Sequence, residues 1–304
     1  MAKRLKWMPI PREVKYKIVM CNILPAALYG VEITSINKGA MQELRSAIAS
    51  AIGPASAKRS IDLVFNTTCT AKDLDPLVHS LYLRTANLRR IMAKSATAHD
   101  QVWQIIAAYN QHGMEGHADT PINVERQRQL KLIEAQSRYK GATLWQNLSK
   151  GDNTGDIGNC DESAYGPVGL LINQLQDCGY KLSNDLVATA PGEIPIDIWN
   201  IPWQHLRPAI MSIAIRKRNA DISTNRTFCG DFKEIEVPIM KSVIHSLGHI
   251  EQKIHAHISS GAFWHELQLK SIQRSCGKCK HCGEDVTSTD HVLWECVVIN
   301  KHRT

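Results

Sequence analysis

The C-terminal end of the chain contains a group of side chains whose types and spacing suit a transition metal ion. Cys279 and Cys282 form a Cys-x2-Cys pair, and His291 and Cys296 follow as His-x4-Cys. Thiolate and imidazole groups are the usual ligands of Zn²⁺, which four of them bind as a tetrahedron. Gly283 follows the pair directly and supplies the permissive backbone that a tight turn needs. The sequence therefore predicts a zinc site formed by Cys279, Cys282, His291 and Cys296.

The spacing of the last two ligands constrains the backbone between them. On a regular helix, residues five apart lie ~140° out of phase, at ~100° per residue. His291 and Cys296 can reach one ion only if a helix that starts near Asp290 ends or loosens near Glu295. We therefore expect little more than one helical turn, with Cys296 at its frayed end.

Two further side chains near this motif leave its register open. Cys276 and His281 are spare candidates, so a site built on Cys276 and Cys279 with His291 and Cys296 remains an alternative. Trp294 lies between the last two ligands. It fills a small core in one interpretation and stacks on a nucleic-acid base in the other; we favour the core.

Basic side chains suggest contacts with phosphate. Lys278 and Lys280 stand between and beside the cysteines. A predicted helix also carries Arg84, Arg89 and Arg90, for which a solvated helix face is the competing interpretation. Phosphate groups favour such a basic rim, so these five residues are the candidates for binding nucleic acid.

Composition sets the class of protein. The chain has 304 residues, a net charge of +7 and 43% apolar residues. Its nine cysteines do not form a disulfide-like pattern, which suits a reducing compartment. No apolar run approaches the ~20 residues of a membrane span. We expect a soluble intracellular protein, nuclear or cytoplasmic, without a membrane partner.

Apolar periodicity predicts a mainly α fold. Residues 61–65 read as a strand or extended linker and 191–202 as extended. A glycine-rich stretch at 151–162 marks a boundary, with acidic residues that we interpret as solvated linker. The predicted divisions are residues 1–150 (helical), 151–265 (linker and second helical region) and 266–304 (zinc-knuckle-like module). The predicted helices are 14–24 (ending at Pro25), 37–52, 74–94, 100–109, 124–148, 168–178, 206–220 and 237–259.

Motifs for other chemistry are absent from the sequence. It contains no phosphate-binding loop, nucleophile elbow or dinucleotide-binding glycine motif. His245 and His249 have a metal-capable spacing, but no glutamate completes a His-Glu-x-x-His motif, so we interpret them as surface histidines. Two paired catalytic aspartates, as two-metal nucleotidyl transfer requires, are also missing.

Two separated segments resemble one protein family. The segment 15–32, with Leu-Tyr-Gly-Val-Glu at its end, resembles the thumb region just after the palm of non-LTR retrotransposon reverse transcriptases. The segment 267–296 resembles the C-terminal zinc-binding segment of the same proteins, and Gly261-Ala-Phe263 matches the turn before it. The middle of the chain corresponds to the family only by position.

The resemblance implies a thumb-like helical region at 1–150 and a role in binding RNA or DNA. Family members are RNA-directed DNA polymerases whose palm carries a Tyr/Phe-x-Asp-Asp turn, and this chain has no such sequence. The chain is thus expected to be a nucleic-acid-binding remnant that is not an enzyme on its own. Two alternatives remain: a zinc-stabilised helical module that meets a protein partner through the 237–259 helix, or a truncated copy without function.

Overall fold

A computed structural model describes residues 2–56, 58–67, 73–112, 166–225, 242–244, 246–262, 266–286, 291 and 295–302. This part of the chain is mainly helical, as the sequence predicts. Its α-helices are α1 (Ala2–Leu5), α2 (Arg12–Ile18), α3 (Leu24–Ala27), α4 (Lys38–Ile52), α5 (Ile61–Thr67), α6 (Pro76–Lys94), α7 (Ala96–His112), α8 (Gly166–Asp177), α9 (Trp203–Asn225), α10 (His249–Ser259), α11 (Glu266–Ser271) and α12 (Val297–Asn300).

One small antiparallel sheet accompanies the helices. Its strands are β1 (Lys181–Leu182), β2 (Val187–Thr189) and β3 (Ile196–Asp197), in the order β1-β2-β3. Ala188 pairs with Leu182 on one side and with Ile196 on the other. The third strand lies inside the stretch that the sequence predicts as extended.

The chain divides into two compact units. The sheet unit consists of Leu24–Leu44 and Asp75–Lys217. The cysteine unit consists of Met1–Ile23, Arg45–Leu74 and Arg218–Thr304. The divisions predicted at 1–150, 151–265 and 266–304 stay a prediction, since the boundary at 151–162 falls outside the described residues.

The sheet unit has one apolar core formed by α6, α7, α8, the sheet and the first part of α9. Leu81, Ile106, Leu171 and Ile210 are completely buried in it. On α6, Leu81, Leu88 and Met92 are buried. Leu77, in the first turn of the same helix, is 37% exposed.

In the cysteine unit, α5 packs closely against its neighbours. A Cβ added at Gly53, after α4, would lie 2.9 Å from a methyl group of Val64, so only glycine permits this approach. The main-chain N–H of Ser60 donates to the carbonyl of Ser260 over 2.8 Å, which joins the start of α5 to the end of α10.

Residues 61–65 form a helix, and the prediction of a strand or extended linker is wrong. The main-chain N–H of Leu63 donates to Ser60 Oγ, a capping contact that favours a helix start. Five of the seven residues of α5 are buried, so the segment shows no apolar periodicity that could distinguish a helix from a strand.

The helix predicted to stop at Pro25 continues past it. A π-helical turn at Val19–Ile23 precedes α3, which contains Pro25. A proline ring clashes with the carbonyl four residues earlier in a regular helix. A π-helical turn is wider than an α-helical one, and such a turn directly precedes the helix that contains Pro25.

The long helix predicted at 237–259 is interrupted. Gly248 is extended (φ −65°, ψ 163°), and α10 begins after it. The Gly248 N–H donates to the Glu251 carboxylate over 2.7 Å, which caps the new helix. Residues 226–241, the helix predicted at 124–148 and His245 lie outside the described residues. None of the helices within the described ranges is long and apolar enough to cross a bilayer.

Candidate metal centre

The structure brings together the four residues that the sequence predicts as metal ligands. The ligand atoms of Cys279, Cys282, His291 and Cys296 all lie within 4.8 Å of one another. The sulfur atoms of Cys279 and Cys296 are 3.8 Å apart, and Cys282 Sγ lies 3.3 Å from His291 Nε2. Cys279, His291 and Cys296 are buried, and Cys282 is half-buried. This group can hold a metal ion.

A tight loop positions the first two cysteines. The main-chain N–H of Cys279 donates to the carbonyl of Glu284 over 2.7 Å. In turn, the main-chain N–H of Gly283 donates to the carbonyl of Cys279 over 2.9 Å. Gly277 and Gly283 have positive φ angles of 85° and 78°, a conformation that favours glycine. The loop therefore folds back on itself and turns both thiols toward one point.

The environment of Cys279 favours its ionised form. Burial alone would raise the pKa of this thiol. Hydrogen bonds from the main-chain N–H groups of Cys282 and His281 and from the side chain of His291 outweigh burial and lower the pKa from 9.0 to about 6. The thiolate is the form that binds metals, so the loop prepares Cys279 as a ligand.

The second cysteine behaves differently. The Glu284 N–H lowers the pKa of Cys282, but burial and the nearby sulfur atoms of Cys279 and Cys296 outweigh it and raise that pKa. Several thiolates so close together repel one another unless a cation lies between them.

A wide turn brings the other two ligands to the group. The main-chain N–H of Cys296 donates to the carbonyl of His291 over 2.7 Å. A hydrogen bond across five residues closes a π-type turn, wider than an α-helical one. This bond agrees with the expected loosening near Glu295; residues 287–290 and 292–294, where the helix itself is predicted, lie outside the described residues. Cys296 also stands directly before α12, as its N-terminal boundary residue.

The structure selects one register among the described residues. Cys276 and His281 are both exposed, and neither belongs to the four-residue group. The described residues therefore favour the site built on Cys279 and Cys282 over the alternative built on Cys276 and Cys279. Trp294 lies outside the described residues, so the choice between core and base stacking stays open.

The candidates for phosphate contact fall into different environments. Lys278 and Lys280 are exposed on the loop that carries the first two cysteines, and Arg90 is exposed on α6. Arg89 is half-buried, with its guanidinium carbon 4.5 Å from the centre of the Trp203 ring. The prediction of a nucleic-acid contact remains a proposal for these four residues.

The prediction is wrong for Arg84, which is only 7% exposed. Its guanidinium donates to the carbonyls of Val31 and Thr34, each over 3.0 Å, and to the Gln174 side chain over 2.9 Å. With the Leu170 carbonyl, these acceptors use four of the five guanidinium donors inside the sheet unit, and the buried side chain is not placed to meet phosphate.

Sequence reasoning missed the aromatic partners of the arginines. Trp203 and Tyr82 each lie under an arginine of the other helix, α6 or α9. Trp203 lies before the helix predicted at 206–220, and no local sequence signal pointed to its pairing. The pairing itself depends on segments far apart in the chain.

Comparison with protein-family models gave no match, and neither did comparison with curated proteins or with solved structures.

Proposed function

We propose that this chain is a zinc-stabilised nucleic-acid-binding protein, related to the thumb-to-C-terminal part of non-LTR retrotransposon reverse transcriptases. The observation that carries the proposal is the largely buried group of three thiols and one imidazole, in a segment that also carries the exposed Lys278 and Lys280. The proposed relationship to reverse transcriptases rests on the resemblance of segments 15–32 and 267–296. The proposed zinc and nucleic-acid binding rest on the side chains of this chain.

The geometry of the group suits zinc. With Zn–S bonds of ~2.3 Å, two sulfurs of a tetrahedral site stand about 3.8 Å apart. Cys279 Sγ and Cys296 Sγ are separated by 3.8 Å. Three thiolates also disfavour Mg²⁺ and Ca²⁺, which prefer oxygen ligands. All four positions come from the protein, the pattern of a structural site rather than a catalytic one.

The proposed role of the ion is to hold two short segments together. The apolar cluster around the ligands consists of Val286 with the half-buried Val298 and Ile299. A core of this size stabilises little by itself. A shared ion would therefore add stability to the loop at 276–286 and the turn at 291–296, as it does in small zinc modules.

The proposed partner is RNA or DNA. Lys278 and Lys280 place two positive charges at the surface of the module, and the whole chain carries a net charge of +7. Phosphate binding through lysine releases counterions, so affinity should fall steeply with salt. Because the sequence has no Asp-Asp palm motif, we propose binding without polymerase activity.

The first test is the metal content of the purified full chain by mass spectrometry. We expect one zinc per chain in wild type and none in Cys282→Ser. Cys276→Ser is the matched control, since Cys276 is an exposed thiol of the same loop that lies outside the group. Folded wild-type protein without zinc would contradict the metal site.

The second test is binding to RNA and DNA across salt concentrations. Lys278→Gln with Lys280→Gln should weaken binding and reduce its salt dependence. Wild-type protein that loads zinc but binds no nucleic acid at low salt would retain the metal site and refute the partner.

One observation favours a protein partner as a second candidate function. Ile250, Ile254 and Ile258 lie at successive turns of α10 and are 73%, 54% and 42% exposed. Apolar side chains repeated on one face mark protein interfaces. An association with a protein through these isoleucines should be insensitive to salt when measured by sedimentation velocity. Ile254→Asp should abolish that association and leave nucleic-acid binding unchanged.

A further inference from the structure

Arginine and aromatic side chains pair reciprocally between α6 and α9. The guanidinium carbon of Arg89 on α6 lies 4.5 Å from the ring centre of Trp203 on α9. The guanidinium carbon of Arg207 on α9 lies 5.2 Å from the ring centre of Tyr82 on α6. Residues seven apart on one helix and four apart on the other share a face. Together these four residues form what we call the arginine–aromatic strip.

The tryptophan of the strip is open to solvent. Trp203 is 47% exposed, which is unusual for the largest apolar side chain. The guanidinium of Arg89 covers one part of the ring. The exposed remainder is a flat aromatic surface next to a fixed positive charge.

The arginines of the strip have hydrogen-bond donors to spare. Within the described residues the side chain of Arg89 donates no hydrogen bond to the protein; its Nη1 has no partner there but is buried, so a ligand would meet the other guanidinium nitrogens. Arg207 makes one such bond there, from Nε to the weakly accepting sulfur of Met211 over 3.4 Å. By contrast, Arg216 of the same unit is paired with Glu193. No carboxylate in the described part of the chain forms a salt bridge with either guanidinium group of the strip.

One carboxylate lies near the strip but is already occupied. Asp197 accepts hydrogen bonds from the main-chain N–H groups of Trp199 and Asn200, over 3.1 and 2.8 Å. Its other oxygen accepts from the Asn200 side chain over 2.8 Å. Asp197 therefore influences Arg89 through space without using its donors.

We propose that the arginine–aromatic strip binds single-stranded nucleic acid, with a base stacked on Trp203 and phosphates contacted by Arg89 and Arg207. The proposal rests on the proposed function and deepens it by naming the strand form and a second binding surface. Base faces are open to stacking only when the strand is unpaired, whereas a duplex offers its phosphates alone. The exposed Arg90 follows Arg89 on α6 and adds a third positive charge to this part of the surface.

The test uses the zinc-loaded full chain and fluorescent oligonucleotides of about 12 nucleotides, which match the site sizes of single-strand-binding proteins. Affinities are measured by anisotropy for oligo-dT, oligo-U and a duplex of the same length. Trp203→Ala should weaken binding of both single strands about tenfold and duplex binding by less than about twofold. Trp203→Phe should restore most of the single-strand affinity.

Trp7→Ala is the matched control. Trp7 is 78% exposed and has the ammonium group of Lys6 4.7 Å from its ring centre, but it lies in the other unit. Its removal should leave the ratio of single-strand to duplex affinity unchanged. A similar loss in both tryptophan variants would mean that any exposed ring contributes, and would overturn the proposal.

The outcomes separate the two proposals. Wild-type binding that Trp203→Ala leaves unchanged, or weakens equally for single strands and duplex, overturns the strip and keeps the proposed function. Absence of any wild-type binding at low salt overturns both.

A crosslinking experiment needs no substitution and guards against a variant that fails to fold. Oligonucleotides that carry 5-iodouracil crosslink to aromatic rings stacked on the base. We expect the crosslinked peptide of the wild-type chain to contain Trp203 or Tyr82. Crosslinks confined to other peptides would contradict the assignment.

Discussion

The main-chain N–H of Cys296 donates a 2.7 Å hydrogen bond to the carbonyl oxygen of His291, five residues earlier. In a regular α-helix these two side chains would point ~140° apart. The wide turn closed by this bond instead brings both to one side. Backbone geometry, more than ligand type, therefore decides that both residues join Cys279 and Cys282.

If the turn sets the position, the ligand at residue 291 should be exchangeable. His291→Cys should still bind one metal ion per chain, because a thiol there faces the same point. In the Co²⁺-loaded protein its visible bands should move to lower energy, since thiolate is a weaker-field ligand than imidazole. Absorption spectroscopy measures both effects.

His291→Ala is the companion variant, and it should lower metal affinity by more than about 100-fold, since second-shell partners alone contribute ~10–100-fold. Cys276→Ser should leave the Co²⁺ spectrum unchanged. A changed spectrum in that control would mean that Cys276 is a ligand in solution.

The two glycines of the loop should favour metal binding, because they adopt positive φ angles without the backbone strain that another residue would introduce. Gly283 has φ +78°, and a Cβ placed there would meet nothing within 4 Å. Gly283→Ala thus adds left-handed strain of about 1–2 kcal/mol, which corresponds to a ~5–30-fold higher dissociation constant. Chelator competition measures it. Gly283→Asn should cost less, because asparagine tolerates this conformation.

Gly277 offers a contrast to that prediction. It has φ +85°, and a Cβ there would lie 2.6 Å from Cδ of Lys270. Gly277→Ala should cost at least as much as Gly283→Ala, because a side chain must also move. Wild-type affinity in both alanine variants would show that the loop refolds around the substitutions.

Local sequence signals predicted the metal site and several helix ends. The four ligands lie within one short segment, so their types and spacing were sufficient to identify the group. Asn37 was predicted to open a helix, and its side chain accepts a hydrogen bond from the Ala40 N–H over 3.0 Å before α4. Such contacts join residues only a few positions apart, which a sequence displays directly.

Long-range contacts were not predictable in this way. Arg84 looks like a surface residue by polarity alone, yet the carbonyl groups of Val31 and Leu170 accept hydrogen bonds from its guanidinium. The interruption at Gly248 was missed because the apolar repeat continues across it. The pairing of Arg89 with Trp203 depends on how α6 meets α9, which no local pattern encodes.

The metal-free protein should contain one unusually acidic thiol. Cys279 has its pKa lowered from 9.0 to about 6 by hydrogen bonds that outweigh burial. Since the pKa falls on folding, the ionised thiol stabilises the folded loop fully above pH 9.0, and this contribution is lost as the pH falls through about 6. Thiolate absorbance at about 240 nm should therefore rise near pH 6.

Matched variants identify the thiol responsible for this step. Cys279→Ser should remove the step in absorbance near pH 6. Cys276→Ser should keep it, because that thiol is exposed and stands outside the group. A step that survives in Cys279→Ser would assign the acidic thiol to another cysteine.

Arg84 should be a stabilising residue of the sheet unit rather than a binding residue. Its guanidinium donates to the carbonyls of Val31, Thr34 and Leu170 and to the side chain of Gln174. Arg84→Lys places one compact ammonium where a planar group reached four acceptors, so buried acceptors lose their donors. We expect a loss of about 3 kcal/mol in the free energy of unfolding, measured by urea denaturation followed by circular dichroism.

Arg90→Lys is the control for that measurement, because Arg90 lies exposed on the same helix. Its effect on the free energy of unfolding should stay within about 0.5 kcal/mol, as for surface substitutions in general. For nucleic-acid affinity we expect the reverse. Arg90→Gln should weaken binding, whereas folded Arg84→Lys should bind as wild type does. If Arg84→Lys left the free energy of unfolding unchanged but weakened nucleic-acid binding, Arg84 would be a binding residue. That result would contradict the stabilising role assigned to it here.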